Sequence, residues 1–278
     1  MYKALQIEQK IRIDNMYTLF SDTREPNYHF EGERHNFWEV VCVLDGKVGV
    51  ASEKELYTLS EGQAVFHTPM EFHNIWSENS KNTVFIFSFS GTMPKLDCKV
   101  YNIGTKERLL INEIIETYHK CFKNKEIHVS GIKQGMENEA EKIIKKLELL
   151  IVSILGNTQP EILDLDSKSA QNYINIISVL NNNTDKNLTI EEIADICSMS
   201  TSNLKKTFNK YSGVGIIKYF NGLKIEKAQK LLKSGYTVKE TSLALGYTDQ
   251  NYFSVVFKRI SGISPLKYKN KIKQTVDI

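Results

Sequence analysis

The sequence predicts a multidomain α+β chain, in which a small β-barrel with attached helices is followed by an all-α domain. Three observations support this prediction. The chain has 278 residues, which is enough for two domains at roughly 150 residues each. The first part is rich in short strand-like runs separated by turn residues. The last part contains one helical pattern twice, which is typical of a duplicated supersecondary unit.

Residues 1–104 are predicted to form the barrel. The run "FWEVVCVLDGKVGVAS" is rich in strand-forming residues and has Asp45-Gly46 at a hairpin position. The run "ELYTLSEGQAVFHTP" has a second turn signal at Glu61-Gly62, and "NTVFIFSFS" is a further strand. Strands at this spacing indicate a small barrel or a sandwich.

Residues 105–155 are predicted to be a helical segment that carries a dimer interface. In "MENEAEKIIKKLELLIVSIL", apolar residues recur at alternating steps of four and three, which is the pattern of a coiled-coil seam. The seam residues are Met136, Ala140, Ile143, Leu147, Leu150 and Ile154. The charges between them favour an exposed helix, so a homodimer is expected. The alternative is a helix packed on its own barrel. Residues 156–169 are the predicted linker.

Residues 170–278 contain the repeated pattern. The stretches "TSNLKKTFNKYSGVGIIKYF" and "QNYFSVVFKRISGISPLKYK" align at an offset of 49 residues, so that Phe208 corresponds to Phe257. In each copy a short helix, capped by Thr189 or Thr237, is followed by a turn and a second amphipathic helix. The second helix has a polar, basic outer face, which indicates a helix-turn-helix in each copy.

The outer faces of these second helices carry side chains that suit DNA. They are Ser202, Asn203, Lys205, Lys206 and Lys210 in the first copy and Gln250, Asn251, Ser254, Val255, Lys258 and Arg259 in the second. Gln and Asn can bond adenine bidentately, and Lys pairs with guanine or phosphate. Residues 168–278 hold 17 Lys and Arg against 8 Asp and Glu, a net charge of +9, whereas residues 1–167 have a net charge of −6. This asymmetry predicts double-stranded DNA as a partner.

A helix of about 18 residues is predicted between the two copies, in "IIKYFNGLKIEKAQKLLKSG". Its length of roughly 27 Å could hold the two second helices near one turn of DNA apart, about 34 Å. The duplication then lets one chain contact two successive major-groove segments on one face of the duplex.

The segments "IEEIADICSMSTSNLKKTF", "KIEKAQKLL" and "GYTDQNYFSVVFKRISGISPLKYK" resemble the DNA-binding domain of the AraC-type (AraC/XylS family) transcription regulators, over about residues 170–271. The resemblance implies a sequence-specific transcription regulator that is not an enzyme. It places the base-reading positions at Ser202, Lys205 and Lys206, and at Gln250, Asn251, Ser254 and Val255. Val255 is apolar where members often carry a polar residue, which leaves contact with a thymine methyl.

The histidines of the N-terminal part suggest a binding site. His35 and Glu39 lie four residues apart on a strand and so share a face, and His73 would approach from the facing hairpin. The runs "RHNFWEVVCVLDG" and "GQAVFHTPMEFHNIW" resemble the two motifs of the cupin fold, which AraC-type proteins often carry as a sensory domain. That resemblance places the cupin metal positions at Glu33, His35, Glu39 and His73, with Glu33 where cupins normally have histidine.

A small organic effector is the expected occupant, and its predicted binding residues are His35, Phe37, Glu39, Phe66 and His73. No metal and no cofactor are assigned, although two histidines and a carboxylate could suffice for iron. Plain packing histidines remain an alternative. Two other classes also stay open: a ligand-independent DNA-binding regulator whose barrel is a dimerisation scaffold, and a metal-dependent cupin enzyme.

The expected location is the cytoplasm, without membrane attachment. No apolar run reaches the ~18 residues of a membrane span, and the start "MYKALQIEQKIRID" lacks the apolar core of a signal peptide. The four cysteines are scattered, without metal-ligand spacing, which fits idle thiols in a reducing compartment.

Overall fold

The computed structural model describes residues 4–53, 55–77, 79–96, 98–157, 163–164 and 167–276. The chain divides into two compact units, called here the sheet unit (Met1–Ser52 and Leu56–Leu165) and the helical unit (Glu53–Glu55 and Asp166–Ile278). An antiparallel-sheet unit followed by a helical unit confirms the coarse part of the predicted fold class. Residues 158–162 and 165–166 of the predicted linker lie outside the described residues.

The sheet unit contains two antiparallel sheets. Their strands are β1 (Arg12–Arg24), β2 (Trp38–Asp45), β3 (Lys47–Ser52), β4 (Glu55–Ser60), β5 (Gln63–His67), β6 (His73–Trp76), β7 (Asn82–Thr92), β8 (Val100–Asn102), β9 (Phe122–Lys125), β10 (His128–Ile132) and β11 (Leu163–Asp164). A seven-stranded sheet has the order β8-β5-β2-β7-β1-β10-β9, and a four-stranded sheet has the order β11-β4-β3-β6. The strand β11, inside the predicted linker, pairs with β4.

Alternation along β2 divides its side chains between two cores. Val41 and Val43 pack with apolar residues of both sheets, so this core lies between the sheets. Val40 and Cys42 belong to a second core on the opposite face of the seven-stranded sheet. Successive side chains of a strand point to opposite faces. Glu39, two residues before Val41, therefore lies on the face that looks toward the four-stranded sheet.

The predicted dimer seam is part of the second core, which corrects the interface assignment. The sheet unit has the helices α1 (Thr105–Cys121) and α2 (Glu137–Leu155), with the hairpin β9–β10 between them where the sequence predicted helix. Both helices pack on the seven-stranded sheet through one apolar cluster. The seam residues Ala140, Ile143, Leu147, Leu150 and Ile154 are at most 2% exposed. Met136 is partly exposed at the N-cap of α2. The seam residues thus pack on the seven-stranded sheet of the same chain and not on a partner.

The helical unit contains seven helices in its described part. They are α3 (Lys168–Asn182), α4 (Ile190–Ile196), α5 (Thr201–Ser212), α6 (Ile216–Lys233), α7 (Val238–Ala244), α8 (Gln250–Ser261) and α9 (Pro265–Val276). Helices α4 and α5 form one pair joined by a short turn, and α7 and α8 form another. The connecting helix α6 has 18 residues, as the sequence predicted.

The helices of the helical unit are amphipathic. Among the helices that the structure describes, none is long and apolar enough to cross a membrane.

Candidate functional site

The first helix pair is fixed by caps at both helices. The hydroxyl of Thr189 accepts from the backbone N–H of Glu192 at 3.2 Å, and the Glu192 carboxylate accepts from the backbone N–H of Thr189 at 2.7 Å. This reciprocal pair is a capping box, which satisfies two N–H groups that a helix start leaves unpaired. Ser200 caps α5 by accepting from the N–H of Asn203 at 3.2 Å. Gly213 ends α5 in the left-handed conformation, with φ of 67°.

The second helix pair repeats these devices. Thr237 and Glu240 form a capping box with distances of 2.8 and 3.1 Å. The carboxylate of Asp249 caps α8 by accepting from the N–H of Asn251 at 2.7 Å. Gly262 ends α8 with φ of 79°. The repeated sequence thus folds into two pairs of the same local construction.

The predicted DNA-contacting residues lie on the outer faces of α5 and α8. All are exposed except Ser254, which is half-buried: Ser202, Asn203, Lys205, Lys206, Lys210, Gln250, Asn251, Val255, Lys258 and Arg259. The inward positions are filled by buried apolar residues such as Phe208 and Phe257. Neither helix contains an acidic residue, so the outer face of each helix carries a net positive charge.

Two of these residues, Ser254 and Lys210, have polar groups that already contact neighbouring residues of the same helix. The Ser254 hydroxyl donates to the backbone carbonyl of Gln250 at 2.9 Å, within α8. The Lys210 ammonium lies 4.9 Å from the ring centroid of Tyr211, which is a cation–π distance. Val255 is 63% exposed and offers an apolar contact at the centre of the face.

Four side chains meet at one end of the space between the two sheets, and are called here the polar cluster: Glu33, His35, Glu39 and His73. His73 Nε2 lies 3.3 Å from Glu39 Oε1 and 3.8 Å from Glu33 Oε1. His35 Nε2 lies 3.9 Å from a carboxylate oxygen of each glutamate. Reciprocal backbone hydrogen bonds between Glu33 and His73, at 3.0 and 3.1 Å, join the segment before β2 to β6 and hold the cluster together.

Hydrogen bonds to backbone carbonyls orient both histidine rings. His35 Nδ1 lies 3.0 Å from the carbonyl oxygen of Phe37, and His73 Nδ1 lies 3.1 Å from that of Glu71. A carbonyl can only accept, so each Nδ1 carries the proton, and each Nε2 points into the cluster. Both Nε2 atoms are buried and have no well-aligned hydrogen-bond partner among the described residues.

Burial and mutual charge set the protonation of the cluster. Burial and the neighbouring His73 lower the pKa of His35 to about 4. Burial and the charge of Glu39 raise the pKa of Glu33 to about 6. Burial alone would lower the pKa of His73, but the adjacent Glu39 carboxylate outweighs it and raises that pKa. At neutral pH, His35 therefore presents a neutral Nε2 beside two carboxylates.

This arrangement fits a small divalent cation. The four ligand atoms all lie within 4.8 Å of one another. Tetrahedral zinc, with bonds of about 2.0–2.1 Å to nitrogen and oxygen, needs ligand atoms roughly 3.3 Å apart, close to the separations of 3.3–3.9 Å given above. Imidazole nitrogen with carboxylate oxygen is a donor set for zinc, iron and similar metals.

The structure places the two predicted phenylalanines differently. Phe37 lies beside the polar cluster, because its ring stacks on that of His35 at 3.8 Å and on that of Tyr17 at 4.0 Å. Phe66 stands opposite Val40 in the sheet and belongs to the core on the helix side. Its assignment to the effector site is therefore wrong, because it points to the other face of the seven-stranded sheet.

A second buried network, which the sequence reasoning missed, supports the polar cluster. The His67 ring stacks on that of His73 at 4.2 Å, and His67 Nδ1 lies 3.4 Å from the Glu71 carboxylate. Glu71 also accepts from Ser52 and from the Lys99 ammonium. Burial would raise the pKa of Glu71, but the hydrogen bond and charge of His67, with Lys99, hold it well below its usual range. The sequence feature that could have indicated this network is the run "HTPMEFH", which places His67, Glu71 and His73 close together.

The space below the polar cluster is occupied by apolar side chains. Val41, Val43, Val50, Val65 and Ile75 from the two sheets are at most 4% exposed and pack into one cluster. Glu33 is the exposed member of the polar cluster, with 45% of its side chain accessible. The site thus opens to solvent at Glu33.

Comparison with known proteins gives two matches to protein families. A model described as "AraC-like ligand binding domain" matches residues 16–96, and one described as "Helix-turn-helix domain" matches residues 193–271. The two matches together confirm the predicted resemblance to AraC-type transcriptional regulators with an N-terminal ligand-binding domain. The ligand-binding match includes the whole polar cluster, and the helix-turn-helix match includes both α5 and α8.

The curated relatives of the chain match either its C-terminal part or most of its length. It is 24% identical over 273 residues to the HTH-type transcriptional activator RhaR of Salmonella dublin, which covers 91% of each chain. It is 26% identical over 99 residues to the bifunctional transcriptional activator/DNA repair enzyme AdaA of Bacillus subtilis, which covers 35% of this chain and 47% of AdaA. The chain thus spans about half the length of AdaA.

Among solved structures, the C-terminal domain of AraT, a response regulator from Geobacillus stearothermophilus, is 26% identical, with a TM-score of 0.36 over 38% of this chain and 88% of that one.

Proposed function

We propose that this AraC-type regulator binds two successive major-groove segments of duplex DNA through α5 and α8, and thereby controls transcription. The observation that carries the proposal is the duplication of one capped helix pair, whose two outer faces are basic and polar. A helix that exposes Gln, Asn and Lys and no acid can contact both base edges and phosphates. Two helix-turn-helix motifs in one chain would contact one face of the DNA.

The connecting helix supports this geometry. The 18 residues of α6 span roughly 27 Å, and one turn of DNA is about 34 Å.

DNA selection tests this function. The full chain is used to select duplexes from a random library, and the binding of the Gln250→Ala variant to the selected sequence is then measured at constant salt. We expect a loss of about 1–3 kcal/mol together with relaxed preference at one or two base pairs. The matched control is Gln171→Ala on α3, which should keep both affinity and preference. Unchanged preference in Gln250→Ala would remove α8 as a base-reading helix.

The polar cluster is proposed to be the effector site of a cupin-like domain, and the effector to be a small cation. Two carboxylates and the neutral Nε2 of His35 converge there, which favours a positive ligand. The four ligand atoms lie within 4.8 Å of one another, which favours a metal ion over a larger organic molecule. A divalent ion would be held by Glu33, His35, Glu39 and His73, and it would relieve the repulsion between the two carboxylates.

Metal titration tests this assignment. Zinc, manganese and magnesium are added separately to the metal-free chain, and Tm and DNA affinity are measured. We expect zinc to raise Tm and to change DNA affinity by about tenfold, which corresponds to about 1.4 kcal/mol of coupling between the sites. Glu39→Gln should abolish both effects, whereas the exposed control Glu25→Gln should keep them. If no metal acts and a small organic ammonium does, the effector is an organic cation and not a metal ion.

We propose a homodimer that uses the outer face of α2 rather than the buried seam. Leu149 and Val152 are 57% and 53% exposed, and Leu109 on α1 is 60% exposed. Charged residues at such positions oppose an apolar contact. The double change Leu149→Lys and Val152→Lys should therefore convert dimers into monomers in light scattering without lowering Tm. A dimer that persists would place the interface elsewhere.

Two alternatives predict different results. A ligand-independent regulator would bind DNA equally with every cation tested. A metal-dependent enzyme would need catalytic turnover by the loaded cluster. RhaR, which aligns over nearly its full length, is named a transcriptional activator, and we therefore propose no catalytic role.

A further inference from the structure

A fully buried lysine lies in the middle of the connecting helix. Lys224 of α6 is 0% exposed. Its ammonium donates to the backbone carbonyl of Lys186 at 2.7 Å, in the loop that leads into α4. The same ammonium lies 4.3 Å from the ring centroid of Tyr247, in the turn between α7 and α8. One side chain thus joins the loop that leads into the first pair to the turn of the second pair.

The backbones of the two pairs also meet at this point. Gly246 has φ of 73°, and a Cβ at this residue would lie 2.3 Å from the carbonyl oxygen of Asp185. The turn of the second pair can approach the loop of the first pair this closely because Gly246 has no side chain. One helical turn along α6, Lys227 donates to the hydroxyl of Thr184 at 3.0 Å. Residues 184–186, Lys224 and residues 246–247 form a junction between the pairs.

The charge of Lys224 is an inefficient way to stabilise this junction. No carboxylate lies within ion-pair distance of its ammonium in the described part of the chain, and burial lowers the pKa of Lys224 to about 8. Asp185 raises that pKa only from a longer distance. A buried ammonium is costly to desolvate, and an apolar side chain of similar length often gives equal or greater stability. Buried polar groups of this kind can instead specify one geometry.

We propose that Lys224 is a positioning residue that holds the two helix pairs at one separation, and that this separation decides which spacing of two DNA segments the chain accepts. The second half of the proposal depends on the proposed DNA binding, and the first half does not. The directional hydrogen bond to Lys186 and the cation–π contact with Tyr247 hold the two parts of the junction to one side chain. An apolar side chain would fill the same space without fixing the angle.

The test compares full-length Lys224→Met with the wild type on DNA of altered spacing. The duplex is the one that the wild type selects, with one base pair inserted or removed between its two contacted segments. One base pair shifts the segments by about 3.4 Å and by roughly a tenth of a turn. We expect the wild type to lose at least about tenfold in affinity, or about 1.4 kcal/mol, and Lys224→Met to lose less than about threefold.

Stability and amide exchange complete the test. The Tm of Lys224→Met should stay within a few degrees of the wild-type value, while amides of residues 183–187 and 245–248 exchange at least about tenfold faster without DNA. The matched control is Lys230→Met on the same helix, because the exposed ammonium of Lys230 pairs with Glu226. This control should change neither the discrimination between DNA spacings nor the rate of amide exchange. If the Lys224→Met protein does not fold, Lys224→Gln, which keeps an N–H donor, is the second variant.

The possible results distinguish a failure of the junction from a failure of the proposed DNA binding. Unchanged spacing discrimination in a folded variant would overturn the role in DNA spacing, and unchanged exchange would overturn the junction itself. A wild type that binds no duplex would contradict the proposed function, whereas the exchange measurement would still decide whether Lys224 fixes the junction.

Discussion

The salt dependence of DNA binding is a quantitative consequence of the charges on α5 and α8. The two outer faces expose five basic side chains: Lys205, Lys206, Lys210, Lys258 and Arg259. Each phosphate contact contributes about −0.9 to the slope of log K against log salt. Five contacts give a slope of about −4.5, so that affinity falls roughly 500-fold between 50 and 200 mM salt.

Removal of one lysine from each helix should lower this dependence by a defined amount. Lys206→Ala combined with Lys258→Ala leaves three contacts, a slope of about −2.7 and a loss of roughly 40-fold over the same salt range. Fluorescence anisotropy with the selected duplex at four salt concentrations measures both slopes. The control is Lys142→Ala on α2, which removes an exposed lysine from the sheet unit and should leave the slope unchanged. An unchanged slope in the double variant would refute the assignment of these faces to DNA.

Other predictions concern packing, the junction and the polar cluster. Leu147→Ala should lower the free energy of unfolding by about 2–5 kcal/mol because it opens a cavity in the core, whereas Leu149→Ala should change it by less than about 0.5 kcal/mol; denaturant unfolding checks both, and equal effects would contradict the placement of the seam. Gly246→Ala should cost at least about 1–2 kcal/mol from its left-handed backbone alone, with added strain at Asp185, and a stable variant in thermal unfolding would contradict the close approach. His73→Ala should weaken zinc binding at least about tenfold in calorimetry, and retained affinity would exclude His73 as a ligand.

The helical unit was largely predictable because its signals are local. Thr189 and Thr237 lie three residues before Glu192 and Glu240, and these pairs form the capping boxes that start α4 and α7. Gly213 ends α5 in the left-handed conformation, which a glycine at a helix end also signals locally. Caps and period-3.6 stripes depend on neighbouring residues, so a sequence contains the information directly.

The sheet unit was predictable only in part, since its contacts are distant along the chain. The seam of α2 has the same apolar periodicity whether it meets a partner or its own sheet, and periodicity cannot tell these apart. Phe66 was assigned to the wrong face because a shift of one residue in strand register reverses every side chain. His35, Glu39 and His73 lie together as the sequence grouped them, but His35 precedes β2, so the prediction that it shares a strand with Glu39 is wrong. Glu71 was missed because its partners come from three separate segments.

Hydroxyl-radical footprinting tests the central claim most directly. The full chain is bound to its selected duplex, and protection of each sugar is mapped on both strands. We predict that each bound chain protects two segments on one face of the DNA, with centres about 10 base pairs apart, and that Lys206→Ala weakens one segment while Lys258→Ala weakens the other. A single protected segment, or one that both variants weaken equally, would contradict the claim that α5 and α8 contact separate major-groove segments.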